Sequence, residues 1–230
     1  MLASLAKDTV WVSSAEKFND IFDCKYQDDG LFGIDEAEEI RAINKFREEK
    51  KIVAPIQIPD GKLTEENVEE IRGSYEERNR KFLDSFGIYS MSEACNSLLL
   101  WSHYAANHFG LCIEYEIDTD DHDLLVPVIY SSQYPKLNLY SFHGDIGKST
   151  VNILRTKSLE WSYEKEWRYI STKHMDCEIG NPFKISGIIF GARMPDADKE
   201  TIKAVLNKKK VKYFDSVQST EQFKVSRVEI

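Results

Sequence analysis

The sequence contains little of what membrane and secreted proteins need. No run approaches the roughly 20 apolar residues that cross a bilayer, and Met1–Phe18 is broken by Lys7 and Asp8, so it lacks the apolar centre of a signal peptide. Cysteine is scarce, and no CxxC pair occurs among Cys24, Cys95, Cys112 and Cys177. We therefore expect a cytoplasmic protein with reduced thiols, no metal site and no membrane partner.

Positive charge is also in short supply. Lys and Arg number 30 against 39 Asp and Glu, which gives a net charge of −9 and argues against a broad basic face for duplex nucleic acid. The run Gly147-Lys148-Ser149-Thr150 imitates the end of a phosphate-binding loop, but the first glycine of that pattern would fall at Phe142. Without that glycine the backbone cannot wrap the phosphates, so we expect no such loop.

The composition that remains is that of a globular domain. The chain has 230 residues, 42% hydrophobic and 30% charged, and a chain of this length buries about 70% of its unfolded surface without disulfides or metals. Residues 28–84 differ, because 10 basic and 16 acidic residues there carry −6 of the net charge. Apolar residues recur there every three or four positions, which predicts helices with an acidic exposed face. We predict a single α+β domain over residues 1–230 with a helical insertion at about residues 28–84.

Strand and helix patterns alternate along the rest of the chain. Strands are predicted over residues 9–13, 87–92, 111–117, 126–130, 186–190, 211–214 and 223–230, and helices over residues 93–108, 146–158 and 196–207. Together these elements predict a mixed, mostly antiparallel sheet with flanking helices.

The segment WSHYA (residues 101–105), followed by Asn107 and His108, places polar groups beside large aromatics. On a helix, Tyr104 and His108 share one face, and His103 and Asn107 share another. The two histidines are five residues apart and cannot bind one metal from a regular helix. The segment is either a core helix packed on the sheet or part of a binding site.

A second segment, Glu164-Lys165-Glu166-Trp167-Arg168, concentrates charge next to a tryptophan. On a strand, Glu164, Glu166 and Arg168 lie on one face. Two carboxylates and an arginine in one row suit a site that binds a sugar hydroxyl or stabilises an oxocarbenium-like transition state. The alternatives are a surface ion pair or, on a helix, a weak pair of Glu164 with Arg168.

A third segment, Phe18–Asp23, has the composition of a turn. Asn19 and Asp20 fit a turn or a helix cap. The alternative is that Asp23, which follows Phe22, reaches into a pocket.

The three segments, in this order, resemble the bacterial family of domains of unknown function DUF2971. The matching residues are Phe18-Asn19-Asp20-Ile21-Phe22-Asp23, Leu100 to Ala105 with Asn107, His108 and Gly110, and Trp161 with Glu164 to Arg168. The family usually has proline where this chain has Ile21. Its members also tend to begin with an additional aromatic, basic strand, so the resemblance implies that a first strand is missing before residues 9–13.

The segments are also similar to elements of ADP-ribosyltransferases. That superfamily uses a basic residue or His on an early strand, a Ser-x-Ser element and a Glu-x-Glu element on a late strand. Ser90-Met91-Ser92 and Glu164-Lys165-Glu166 would be the second and third of these. The similarity implies that Glu166 holds the ribose and stabilises its cationic transition state, that Glu164 orients the acceptor, and that Trp101 or Tyr104 stacks on a ring. NAD would then be the substrate, and no bound cofactor is implied.

The competing hypothesis is a non-enzymatic binding module, for example the recognition part of a bacterial defence or toxin system. The same residues would then bind a small nucleotide or a protein partner without turnover. Three residues are candidates for catalysis: Glu166, Glu164 and His103. Eight are candidates for ligand binding: Trp101, Tyr104, Ser90, Ser92, Arg168, Asn19, Asp23 and His108.

Overall fold

The computed structural model describes residues 2–28, 45, 73, 76–77, 79–117, 124–137 and 146–230. The α-helices are α1 Leu2–Lys7, α2 Leu98–Tyr104, α3 Ile146–Leu154 and α4 Asp196–Val205. The strands are β1 Thr9–Val12, β2 Gln27–Asp28, β3 Gly87–Ser92, β4 Leu111–Glu116, β5 Leu125–Pro127, β6 Ile129–Ser131, β7 Lys136–Leu137, β8 Thr156–Ser158, β9 Glu166–Ser171, β10 Cys177–Gly180, β11 Lys184–Phe190, β12 Lys212–Gln218 and β13 Val225–Glu229. Short 3-10 helices cover Ala15–Lys17 and Leu159–Glu164.

The chain divides into two compact units. The first contains Met1–Ser14, Gly87–Val128 and Glu160–Ile230, and the second contains Ala15–Phe86 and Ile129–Leu159. The single domain over residues 1–230 stays a prediction. Most of the predicted helical insertion at residues 28–84 lies outside the described residues, although residues 79–83 are helical.

A four-stranded sheet with the order β13-β12-β11-β4 forms the centre of the first unit. In the sequence of β11, Ile188, Ile189 and Phe190 follow one another and all are at most 1% exposed. Such a run is typical of a central strand that is covered on both faces. One face packs Ile188 and Phe190 against residues of α1 and α4, including Leu5 and Ile202. The helices flanking the sheet agree with the pattern predicted from the sequence.

The opposite face of this sheet is covered by α2. Trp101 and Ala105 pack there on Ile189 and Phe214, which are paired neighbours on β11 and β12. Burying these apolar side chains stabilises the fold by about 25 cal/mol per Å² removed from water. The packing fixes α2, and therefore Tyr104, relative to the sheet.

A second, three-stranded antiparallel sheet of the first unit has the order β3-β9-β5. Ile88 on β3 faces Ile170 on β9, and the two are 2% and 1% exposed. The pair β1 and β10 adjoins β3 through a bridge between Ser13 and Ile88. Strand β9 carries Glu166 and Arg168, and β3 carries the two candidate serines, Ser90 and Ser92.

The second unit contains two short parallel pairs, β2 with β7 and β6 with β8. The helix predicted over residues 146–158 ends at Leu154, because β8 follows it and pairs with β6. The single strand predicted over residues 126–130 is two strands, since Val128 donates its N–H to Glu166 whereas Ile129 donates to Arg155.

The predicted fold class is confirmed. Helices and strands occur together, and five of the eight pairings between described strands are antiparallel. Within the described ranges, helices long and apolar enough to cross a bilayer are absent.

Candidate functional site

Helix α2 is shorter than the sequence predicts. Ser97 caps its start by accepting the N–H of Leu100 at 3.4 Å, and the helix ends at Tyr104 because residues 106–108 adopt left-handed φ angles of 48°, 54° and 70°. The predicted face shared by Tyr104 and His108, and the one shared by His103 and Asn107, are therefore wrong. Hydrogen bonds from His108 N–H to the Trp101 carbonyl (3.2 Å) and from Gly110 N–H to the Ala105 carbonyl (2.8 Å) hold this turn.

Trp101 and His108 belong to the packing of the first unit. Trp101 is 3% exposed, and its indole N–H donates to the Cys95 carbonyl at 2.8 Å. The His108 ring stacks on the indole at 6.1 Å and 12°. A ring with so little exposed surface has no free face on which a ligand could stack, so the structure gives Trp101 the role of a core anchor.

Tyr104 links α2 to Glu164. The tyrosine is 55% exposed, while Glu164, at the end of a 3-10 helix, is 4% exposed. The Tyr104 hydroxyl donates to Glu164 Oε1 at 2.8 Å, a bond to a charged acceptor of the stronger class. An exposed tyrosine thus bonds to a buried carboxylate through its hydroxyl. His103, one residue earlier, is exposed, with its ring 6.2 Å from that of Tyr104.

Glu164 does not share a strand with Glu166. Lys165 has a left-handed φ of 47°, and β9 begins only at Glu166. The predicted row of three charged residues on one strand is therefore wrong for Glu164 and right for Glu166 and Arg168. A left-handed conformation costs a residue with a side chain about 1–2 kcal/mol. The turn is held by the N–H of Glu93, which donates to the Lys165 carbonyl at 3.1 Å.

Glu166 and Arg168 form a buried ion pair. Their side chains are 5% and 0% exposed, and Arg168 donates from Nε to Glu166 Oε1 at 2.9 Å and from a terminal nitrogen to Oε2 at 3.3 Å. The predicted alternative of a surface ion pair is wrong, because both side chains are buried. Both side chains make further polar contacts.

The two predicted serines lie on β3, directly across from this pair. Ser92 is the partner of Glu166 and Ser90 is the partner of Arg168, so all four side chains share one face of the sheet. The Ser92 hydroxyl donates to the Glu164 carbonyl and accepts the N–H of Ala94 at 2.9 Å. Both serines are exposed, and Ser92 positions the backbone of Glu164.

The remaining two candidates lie in the second unit. Asn19 is exposed in the turn predicted there, in which Asp20 Oδ1 accepts the N–H of Phe22 at 2.9 Å. Asp23 is buried, with Oδ2 lying 3.8 Å from Lys157 Nζ, and its Oδ1 accepts from the Cys24 thiol at 3.4 Å. The lysine is a partner that sequence reasoning missed, because nothing in the local pattern joins residues so far apart in the chain.

The first unit therefore gathers a cluster that we call the carboxylate site: Tyr104, Glu164, Glu166, Arg168, Ser90 and Ser92. Its two carboxylates and one guanidinium carry a formal charge of −2 + 1 = −1. Sequence reasoning also missed Glu93, whose Oε1 accepts the Trp167 indole N–H at 2.6 Å beside this site. In the described part of the chain, groups of three or more His, Cys, Asp and Glu side chains suited to a metal are absent.

Residues 100–169 match the model of a family described as a protein of unknown function, DUF2971. The predicted family resemblance is confirmed over this segment. The DUF2971 match contains Tyr104, Glu164, Glu166 and Arg168, whereas Phe18–Asp23 and the serines of β3 lie outside it. Neither the curated proteins nor the solved structures contain a significant match to the chain.

Proposed function

We propose that the carboxylate site binds NAD and breaks its nicotinamide–ribose bond, as in an ADP-ribosyltransferase or NAD glycohydrolase. One observation carries the proposal: in the register of β3 and β9, Ser90-Met91-Ser92 lies directly beside Glu166 and Arg168. The two short motifs that the sequence shares with ADP-ribosyltransferases are thus adjacent in space. A small nucleotide would be the substrate, with water or a protein side chain as the acceptor.

The proposed chemistry follows from fixed negative charge. Breaking the bond between nicotinamide and ribose develops positive charge on the ribose, and a preorganised carboxylate stabilises that charge without reorganising. Arg168 holds the Glu166 carboxylate in place through both oxygens. Glu164, held by Tyr104 and by the bond from Ser92 to its carbonyl, would orient the acceptor.

A second candidate function is ligand binding without turnover. The observation that favours it is the same pair of bonds from Arg168 to Glu166, at 2.9 and 3.3 Å. These bonds engage both oxygens of the carboxylate, and a substrate would have to share or replace them. The exposed ring of Tyr104 would then be the main contact surface for a ligand.

Nicotinamide release from NAD, followed by NMR, tests the proposal. We expect release by the wild type and a loss of roughly 10²–10³-fold on Glu166→Gln, the effect of removing one preorganised electrostatic group. Glu116→Gln is the matched control, because Glu116 is 64% exposed and paired with Lys184 on the surface. Circular dichroism of each variant separates loss of chemistry from loss of fold.

The two candidate functions give different results in this assay. Release that is equal in the wild type and Glu166→Gln would refute catalysis at this carboxylate. Shifted resonances near Tyr104 on adding NAD, without any nicotinamide release, would refute the enzyme and support the binding module. If NAD causes no nicotinamide release and no shifted resonances, NAD is excluded as the ligand.

A further inference from the structure

Two half-buried cysteines converge beneath α2. Cys95 lies in the turn before the helix, and Cys112 is the second residue of β4. Both pack against the same cluster of Trp101, Ala105 and Ile189. Nothing in the carboxylate site or its proposed chemistry uses either sulfur.

Both cysteines lie against neighbouring members of this cluster, because the Cys95 carbonyl accepts the Trp101 indole N–H at 2.8 Å and Cys112 is the partner of Ile189 in the sheet. Burial, and next to it the neighbouring Cys95, raises the pKa of the Cys112 thiol to about 11. Both cysteines also lie near the guanidinium of Arg227, which bonds to Glu114 at 2.8 Å across the sheet. The other two cysteines lie elsewhere, because Cys24 belongs to the second unit and Cys177 to β10.

We propose that Cys95 and Cys112 are a modification site, a dithiol that a peroxide converts into a reversible intramolecular disulfide. The inference is independent of the proposed NAD chemistry. The loop that such a bond closes contains the whole of α2 and the left-handed turn at residues 106–108. Oxidation would therefore tether the segment that carries Tyr104.

The reaction balances with hydrogen peroxide as the oxidant. The Cys95 sulfur attacks one peroxide oxygen, the O–O bond breaks, and a sulfenic acid and one water form. The Cys112 sulfur then attacks the Cys95 sulfur, the S–O bond breaks, and the leaving hydroxide takes the Cys112 proton as a second water. Two thiols lose two hydrogens and two electrons, and the peroxide is reduced to two waters. Cys95 is assigned the first step because burial raises the pKa of the Cys112 thiol and so lowers the fraction of reactive thiolate there.

Peptide mapping of the folded protein tests the inference. The wild type is treated with hydrogen peroxide, the remaining thiols are alkylated, and the digest is analysed by mass spectrometry without a reductant. We expect a linked peptide containing Cys95 and Cys112 to be the major oxidised product, and dithiothreitol to return both thiols. The Cys177→Ser control should keep this linkage, and Cys95→Ser should lose it.

Other oxidation products would overturn the inference. These are sulfinic acid on either cysteine without a linked peptide, a linkage between two molecules, or a bond from Cys95 to any other cysteine. The wild-type result decides the matter even if Cys95→Ser fails to fold, because mapping identifies the bonded pair directly.

Discussion

Removing one member of the buried ion pair should lower the unfolding free energy far more than removing one member of an exposed pair. In Arg168→Met the long side chain is replaced by an apolar one, and the Glu166 carboxylate stays 5% exposed without its guanidinium. Breaking a buried pair in this way costs about 3–5 kcal/mol of unfolding free energy, because a charge remains in a poorly solvated place. The side chain of Arg168 is itself 0% exposed, so solvent does little to screen the loss.

The magnitude can be separated from simple loss of packing by a double replacement. Glu166→Leu combined with Arg168→Met removes both charges, and replacing a buried pair by apolar residues is often close to neutral. We expect the double variant to be more stable than Arg168→Met by at least about 1 kcal/mol. Lys184→Met gives the matched exposed control, since Lys184 and Glu116 are 71% and 64% exposed, and its cost should be about 0–1 kcal/mol.

The assay is urea unfolding followed by tryptophan fluorescence, with free energies from linear extrapolation. The reasoning is refuted if Arg168→Met costs no more than Lys184→Met. It is also refuted if the double variant is less stable than Arg168→Met, because the buried Glu166 charge without its guanidinium would then not be the source of the loss.

Two further predictions test backbone positions in the first unit. Gly87→Ala should destabilise the protein by about 1–3 kcal/mol or more, because an added Cβ would lie 2.1 Å from a backbone carbonyl, whereas Gly180→Ala has nothing within 4 Å and should be neutral or slightly stabilising in a thermal melt. Ala106→Gly should raise the unfolding free energy by about 0.5–1 kcal/mol, because Ala106 has a left-handed φ of 48° that glycine adopts without strain. The control Ala204→Gly, in helix α4, should lower the unfolding free energy instead. A loss of stability in Ala106→Gly would contradict the strain argument.

The parts of the fold that follow a simple period could be predicted from the sequence. The strand predicted at residues 87–92 has those same bounds in the structure. The period of two placed Glu166 and Arg168 on one face, and both side chains are buried there. Period-two patterns reveal which residues share a face because alternation is a property of the strand itself.

The parts that depend on unusual backbone angles could not be predicted. Residues 106–108 are left-handed although none is a glycine. Asn107 and His108 belong to residue types that visit this region as single residues, but this preference does not mark three left-handed residues in a row. Lys165, also left-handed, removes Glu164 from the row of β9 in the same way. Tertiary hydrogen bonds, such as that from Arg193 N–H to the His108 carbonyl at 3.0 Å, hold these angles, and they join segments that the sequence does not mark as neighbours.

The position of the charges on β9 argues for a role other than stability. On the same face of the strand, Ile170 is 1% exposed against Ile88, so an apolar pair at Glu166 and Arg168 would extend that packing without desolvating charge. A buried ion pair gains little over such an apolar pair, and residues that break the local pattern are expected at functional sites. Glu164 adds a second buried carboxylate at the same end of the sheet and meets the surface through the half-exposed Tyr104. An ion pair that gains little over apolar residues favours a site in which a ligand interacts with fixed carboxylates, and such a site is the premise of the proposed NAD chemistry.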